Sequence, residues 1–165
     1  MAFLPSEAPR CLQSFGTRRV ESAEAGLPPD ASFNSYRLVC PCESDVWRVH
    51  GYSILDGREF DDPLDVECCR CHEIRRLINR ERDGYDGEIG ASARDRSSGP
   101  KDVWRCPQCN STHGHLIVSL GYQFEPFDPG EPEANRPQDF FDAFLLWHIC
   151  LNADVLVEVV TFECA

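Results

Sequence analysis

Two short stretches of this sequence decide its fold: residues 36–42 read YRLVCPC, and residues 103–109 read VWRCPQC. In each stretch a run of strand-forming residues leads directly into a pair of cysteines with a proline between them. Proline favours a tight turn, and a tight turn lets two nearby thiols point towards one ion. Each stretch therefore predicts a short β-strand that ends in a metal-binding turn, which we call a knuckle.

The sequence repeats this pattern in two copies, residues 36–79 and residues 103–163. Each copy reads as a strand, a cysteine pair, a strand, a loop, a strand, a second cysteine element and a final strand. The clearest strand covers residues 115–124, which alternate with a period of two. Copies of this size bury too little core to be stable alone, and a structural metal is a common remedy. The predicted fold is mostly β, with two small units of antiparallel hairpins.

The first copy supplies four cysteines with the spacing of a structural zinc site. Cys40 and Cys42 form its first knuckle, and Cys68 and Cys71 form its second. Cys69 is left over, although a pair of Cys69 and Cys71 would repeat the one-residue gap of the first knuckle. The alternatives are buried free thiols or a disulfide, which a reducing compartment disfavours. The sequence therefore predicts one zinc ion bound by Cys40, Cys42, Cys68 and Cys71.

The second copy supplies only three cysteines at matching positions: Cys106, Cys109 and Cys150. Ala153 occupies the expected fourth position. His148 precedes Cys150 by two residues and so faces the same side of a strand, which makes it the favoured fourth ligand. Three alternatives remain: Asp154 as the fourth ligand, a water molecule in that position, or a site that has lost its metal. Cys164 is a further cysteine, but a straight strand would carry it roughly 25 Å away from this site. Three ligands and a water molecule are the pattern of catalytic zinc, but no residue nearby reads as a general base. We expect one zinc ion per chain, and two if this site is intact.

The sequence divides into four segments. Residues 1–33 are rich in small and polar residues and show no sustained period, so they are predicted to be a disordered, flexible tail. Residues 34–80 form the first predicted unit, residues 81–101 a connector, and residues 102–165 the second unit.

The composition indicates a protein of a reducing cytoplasm. The chain has 165 residues and no apolar run that approaches the roughly 18 residues needed to span a bilayer. Its first residues lack the basic and apolar regions of a secretory signal. The ten cysteines are therefore expected to bind metal and not to form disulfides.

The charge is strongly acidic, with 28 acidic and 16 basic residues and a formal net charge of −12. Such a surface disfavours nucleic acid and anionic membranes as partners. One group of arginines, called here the arginine cluster, is the exception and offers contacts to phosphate. Its members are Arg70, Arg75, Arg76, Arg80 and Arg82. An acidic loop at residues 125–139 is instead a candidate surface for a basic partner. Its acidic residues are Glu125, Asp128, Glu131, Glu133 and Asp139.

The chain resembles the zinc ribbons, a fold family in which rubredoxin-like knuckles lie on antiparallel β-hairpins. It is also similar to uncharacterised bacterial double zinc-ribbon proteins. The cysteine pairs of the first copy carry that similarity, together with residues 83–90 (DGYDGEIG), residues 141–150 and residues 162–165. The resemblance covers about residues 36–165 and implies two ribbons in tandem, the second degenerate at Ala153.

These observations predict a non-enzymatic zinc-binding protein that serves as a protein-interaction module or adaptor. An inhibitor or immunity protein for a basic partner, such as a nuclease toxin, is one form that suits the acidic charge. The alternative is a nucleic-acid-associated zinc ribbon that uses the arginine cluster. Zinc ribbons serve many purposes, so the resemblance by itself does not choose between the two.

Overall fold

The computed structural model describes residues 5–28, 32–54, 59–84, 100–122, 128 and 130–163. Its nine strands are β1 (Gly16–Val20), β2 (Phe33–Val39), β3 (Trp47–Ile54), β4 (Glu59–Cys68), β5 (Ile74–Ile78), β6 (Asp102–Val103), β7 (Gly114–Gly121), β8 (Ala143–Cys150) and β9 (Val155–Glu163). The described residues also contain three short 3₁₀ turns, at Arg10–Leu12, Pro132–Asn135 and Pro137–Asp139. The predicted mostly-β class is confirmed. None of the described helical segments has the length and apolar character needed to cross a membrane.

All nine strands belong to one antiparallel sheet. β7 lies in its middle and pairs with β2, with β8 and with the first residue of β3. The sheet continues from β3 through β4 to β5, and from β8 to β9. β1 pairs with β2, and the two-residue β6 pairs with β3. Strands from both predicted units thus share one sheet, and the division into residues 34–80 and 102–165 stays a prediction.

Apolar side chains from both halves of the chain form the core. β7 and β8 are the most completely buried strands, because side chains on both of their faces are covered. Ile117 and Ser119 are as buried as Leu116, so the alternation in the sequence does not appear as alternating exposure. The buried hydroxyl of Ser119 forms a hydrogen bond of 2.8 Å with that of Ser35, which satisfies both polar groups.

The predicted disordered tail is wrong for residues 5–28. β1 pairs along its whole length with β2, and Leu12 and Phe15 are buried in the core. The ring of Phe15 meets that of Trp47 edge-on, with 5.6 Å between the ring centroids. Most side chains of β1 are exposed, so this strand is held mainly by backbone pairing with β2. For the same reason its sequence shows no hydrophobic period from which a strand could be predicted.

Candidate metal centre

Four turns of similar backbone geometry carry the cysteines of interest. Each turn begins at a buried cysteine at the end of a strand or close to it. These first cysteines are Cys40 after β2, Cys68 in β4, Cys106 after β6 and Cys150 in β8. In every turn the carbonyl oxygen of this cysteine accepts a hydrogen bond from an amide three or four residues later. The donors are Glu43, His72, Asn110 and Asp154, at 2.7, 2.9, 2.8 and 2.9 Å respectively.

The same four donor residues share an unusual backbone conformation. Their φ angles are 69°, 60°, 61° and 50°, and no other non-glycine residue in the described ranges has a positive φ. This left-handed conformation costs free energy in residues other than glycine, so its recurrence marks a specific turn. In three of the turns, the amide of the first cysteine also donates a hydrogen bond to the carbonyl oxygen of the residue that follows the left-handed one. These bonds run from Cys40 to Ser44, from Cys68 to Glu73 and from Cys106 to Ser111. Cys150 is paired in register with the corresponding residue, Val155.

The first cluster consists of the four cysteines predicted from the sequence. The sulfur atoms of Cys40, Cys42, Cys68 and Cys71 all lie within 4.8 Å of one another. The Sγ atoms of Cys40 and Cys71 are 3.6 Å apart, and those of Cys42 and Cys68 are 3.5 Å apart. In a tetrahedral site with zinc–sulfur bonds of about 2.3 Å, neighbouring sulfurs lie about 3.8 Å apart. The four thiols therefore fit a zinc ion with little rearrangement.

The electrostatics of the first cluster also suit a divalent cation. The pKa of Cys68 is lowered to about 6: burial opposes the thiolate, but hydrogen bonds from the amides of Cys71 and Arg70 outweigh burial. Burial raises the pKa of Cys40 to about 12, so a thiolate at Cys40 needs a compensating positive charge. Cys68 thus offers a thiolate that is already stabilised, and a bound cation would promote the loss of the proton from Cys40. This combination is suitable for metal binding.

The remaining cysteines lie outside this cluster. Cys69 is half-buried and follows Cys68, but its sulfur is not part of the group that approaches within 4.8 Å. Burial, with the nearby carboxylates of Asp83 and Asp139, raises the pKa of Cys11 well above its ordinary value. Cys164, considered as a ligand of the second site, lies outside the described residues.

The second cluster contains three thiols instead of four. The sulfurs of Cys106, Cys109 and Cys150 lie within 4.8 Å of one another, with 3.3 Å between those of Cys109 and Cys150. Ala153 stands three residues after Cys150, as Cys71 stands after Cys68 and Cys109 after Cys106. The pKa of Cys150 is lowered, because hydrogen bonds from the amides of Ala153 and Asn152 and from Cys109 outweigh the effect of burial.

His148, the predicted fourth ligand, is not part of this group of close ligand atoms. Its side chain is 0% exposed, and neither ring nitrogen has a hydrogen-bond partner among the described residues. The ring of Trp104 packs against it with 4.5 Å between centroids, and burial lowers the pKa of His148 to about 4. A Cβ atom at Gly114 would lie 2.3 Å from Nε2 of His148, so only glycine fits opposite this ring. The structure thus brings the three cysteines together and leaves the imidazole neutral and packed beside them.

A network of charged and histidine side chains was not apparent from the sequence. Glu67 is bonded to His72 at 3.0 Å, to His50 at 3.2 Å and to Arg48 at 3.2 Å. The hydrogen bond from His72 is the main reason that the pKa of Glu67 is lowered. Arg48 also donates to Nε2 of His113, at 2.7 Å. These residues lie side by side because of the register between neighbouring strands. No local pattern in the sequence encodes that register, so the sequence does not reveal the network.

The arginine cluster is largely occupied by partners within the chain. Arg76 pairs with Asp65, Arg80 pairs with Asp61, and Arg75 pairs with Glu73. Arg70 donates to the carbonyl oxygen of Cys42, and Arg75 also donates to that of Ser14, both at 2.9 Å.

The acidic side chains of the loop at residues 125–139 differ in their exposure to solvent. Asp139 is buried and binds Arg10 at 2.8 Å and Arg136 at 2.6 Å, so its charge is already neutralised. Asp128 and Glu131 are exposed. Glu125 lies outside the described residues. The candidate acidic surface therefore loses Asp139 and keeps Asp128 and Glu131.

The chain has no match among protein-family models, curated proteins or solved structures. Its likeness to zinc ribbons therefore depends on its own cysteine turns. Within the described residues, two groups of cysteines could hold a metal ion, one with four thiols and one with three.

Proposed function

We propose that the protein binds one zinc ion through Cys40, Cys42, Cys68 and Cys71, and that this ion stabilises the fold without catalysing a reaction. The observation that carries this proposal is the approach of four thiols to within 4.8 Å of one another. Four protein thiolates complete a tetrahedron and leave no position for a substrate, which is typical of structural zinc.

The position of this cluster in the sheet gives the ion a clear mechanical role. Cys40 follows the end of β2 and Cys68 ends β4, and these two strands do not pair with each other. An ion that binds both ends joins parts of the sheet that backbone hydrogen bonds do not join directly. Because the unfolded chain lacks this arrangement, the free energy of metal binding adds to the stability of the fold.

We further propose that the zinc-stabilised fold acts as a protein-interaction module for a basic partner. The net charge of −12 would steer such a partner towards the protein. Two large apolar side chains beside the knuckles are exposed, Ile74 by 61% and Leu151 by 47%. Exposed apolar groups on an acidic surface are suited to contact with another protein.

The nucleic-acid alternative receives less support. Arg75, Arg76 and Arg80 would have to leave their carboxylate partners before they could bind phosphate. The surrounding acidic charge would repel the same phosphates. We therefore keep nucleic-acid binding only as an outcome of the binding test.

The metal proposal is tested by measuring zinc in the full chain, purified without a chelator or a metal-affinity tag. We expect Cys71→Ser to lose the ion of the first cluster. Cys69→Ser is the matched control, since it removes a neighbouring thiol outside the cluster, and it should keep the ion. A Cys71→Ser protein that retains all the zinc of the wild type would overturn the assignment.

The binding proposal is tested by cross-linking in cells, identification of the partner and reconstitution from purified proteins. We expect a basic protein whose affinity falls as the salt concentration rises. Labelled duplex DNA and single-stranded RNA are titrated in parallel and should not bind. Tight binding of either nucleic acid, abolished by Arg75→Ala with Arg76→Ala, would establish the alternative instead.

A further inference from the structure

We propose that the second cluster binds a zinc ion through Cys106, Cys109 and Cys150, and that its fourth coordination position accepts a neutral donor from outside the chain. The donor is a water molecule that an imidazole group can replace. This inference goes beyond the structural zinc proposed above, because it assigns an exchangeable metal position to a different set of residues.

The backbone of the fourth turn is still that of a metal-binding knuckle. The amide of Asp154 donates to the carbonyl oxygen of Cys150 at 2.9 Å, the distance found between His72 and Cys68 in the first cluster. Asp154 has a φ of 50°, in the same left-handed region as His72 at 60°. The turn therefore presents Cys150 as a ligand although it no longer supplies a second thiol.

The ligand that the turn lacks is the one at position 153. Ala153 carries a methyl group where the equivalent turns carry the thiols of Cys71 and Cys109. Among the described residues, no other histidine, cysteine or carboxylate joins the three sulfurs within 4.8 Å. His148, two residues before Cys150, is packed under Trp104 and opposite Gly114. A tetrahedral ion held by this cluster would therefore take its fourth ligand from elsewhere.

The fourth position is accessible from the surface. Cys109 is exposed and Ala153 is half-buried, so the edge of the cluster that lacks a ligand borders solvent. A side chain of another molecule can thus approach the cluster without unfolding the turn.

Charge favours a neutral donor over an anionic one when the donor comes from another molecule, because an anion from solution must approach an acidic chain, whereas a thiolate of the chain is already held in place. Three thiolates and one zinc ion carry a combined charge of −1, and an anionic fourth ligand would raise this to −2. The whole chain already has a formal net charge of −12. Water and imidazole add no charge, and imidazole is among the nitrogen ligands that zinc prefers.

The experiment uses the full chain loaded with Co²⁺, whose absorption bands report the ligands of a tetrahedral site. We expect wild-type protein to bind two equivalents and its spectrum to change on addition of imidazole. Ala153→Cys is the matched variant, because it restores the fourth thiol of the knuckle. It should still bind two equivalents, and its spectrum should not respond to imidazole. It should also bind the second equivalent at least about tenfold more tightly, because even the loss of an outer-shell partner typically costs about 10–100-fold in metal affinity.

Three results would overturn the inference. One is a single equivalent in wild-type protein whose circular dichroism shows that it is folded. Another is a two-equivalent spectrum that imidazole does not change. The third is loss of the second equivalent in His148→Leu or Cys164→Ser, which would show that the chain itself fills the fourth position. Cys109→Ser should remove only the second equivalent of Co²⁺. A protein in which the first cluster does not bind metal would instead lose the equivalent that Cys109→Ser retains, so the two proposals can be tested separately.

Discussion

The first and second clusters use the same turn but differ in one ligand. Both have a second knuckle that places a buried cysteine at a strand end, and both keep a left-handed residue four positions later, His72 or Asp154. Only the first cluster has a thiol in the third position after that cysteine. The difference shows that the backbone turn and the metal site are separate properties. Strand pairing and local hydrogen bonds preserve the turn even where the ligand is missing.

The surroundings of the two clusters explain why the second tolerates the absence of a fourth thiol. β7 and β8, which support the second cluster, pair over eight residues without a shift in register. β3 and β4, which support the first, pair over seven residues with an irregularity between His50 and Tyr52. Side chains on both faces of β7 and β8 are buried. The second cluster therefore lies on a part of the sheet that packing already stabilises, and we expect the first to depend more on its ion.

The largest expected effect is that of Cys68→Ser. Loss of the first zinc site should lower the free energy of unfolding by at least about 3 kcal/mol, since apparent binding free energies of structural zinc exceed this several-fold. For a chain of this length that corresponds to a fall in Tm of about 6–12 °C. Thermal unfolding followed by circular dichroism measures it, with Cys69→Ser as the control. An unchanged Tm with retained zinc would remove the basis for the difference between the clusters.

Cys71→Ser and Cys109→Ser sharpen the comparison, because both remove the exposed second thiol of an equivalent knuckle. Cys109→Ser should cost about 1–2 kcal/mol, within the ordinary range for one substitution. Cys71→Ser should cost clearly more. Denaturant unfolding of both variants, with metal content measured on the same samples, gives the two values. Equal losses of stability would contradict the expectation that the first cluster depends more on its ion than the second.

His148→Leu tests whether the imidazole beside the second cluster acts as a ligand. Leucine removes two buried nitrogens that lack partners in the described structure. We expect stability to stay the same or rise by about 1 kcal/mol, because an unsatisfied buried polar group carries a desolvation penalty. Metal content should not change. A lower Tm together with loss of one metal equivalent would make His148 the fourth ligand, as the sequence predicts.

The smallest expected effects come from the left-handed residues. Glu43→Gly in the first cluster and Asp154→Gly in the second should each raise Tm by about 2 °C, because glycine adopts a positive φ at little cost. Part of the gain is offset by the larger entropy of the unfolded chain. Asp154→Val should instead lower Tm, since a β-branched residue is strained in this conformation. A fall in Tm for both glycine variants would show that the side chains of Glu43 and Asp154 matter more than the backbone conformation.

Local patterns in the sequence predict the strands and the first cluster well. The strand-forming run before Cys40 corresponds to β2, and the alternating run at residues 115–124 corresponds to β7. The cysteine spacing predicts which thiols share a turn, because two thiols in one turn are close whatever the rest of the fold does. That two such turns meet in each group depends on strand pairing, and the repeated order of strands and cysteine turns predicts it.

Long-range pairing accounts for what the sequence does not reveal. The pairing of β2 with β7 joins the two predicted units, and β1 adds a strand whose exposed side chains give no hydrophobic signal. The orientation of His148 depends on Trp104 and Gly114, which approach it from other strands or loops. Such contacts form between residues far apart in the chain and leave no local period.

The most direct test of the central claim is the number of zinc ions per chain after competition with a weak chelator. The protein is purified without chelator or metal-affinity tag, and its zinc is measured by elemental analysis before and after the competition. We expect one ion to remain, held by Cys40, Cys42, Cys68 and Cys71, and any second ion to be removed first. Folded protein that contains no zinc before the competition would contradict the claim that the first cluster is a structural zinc site.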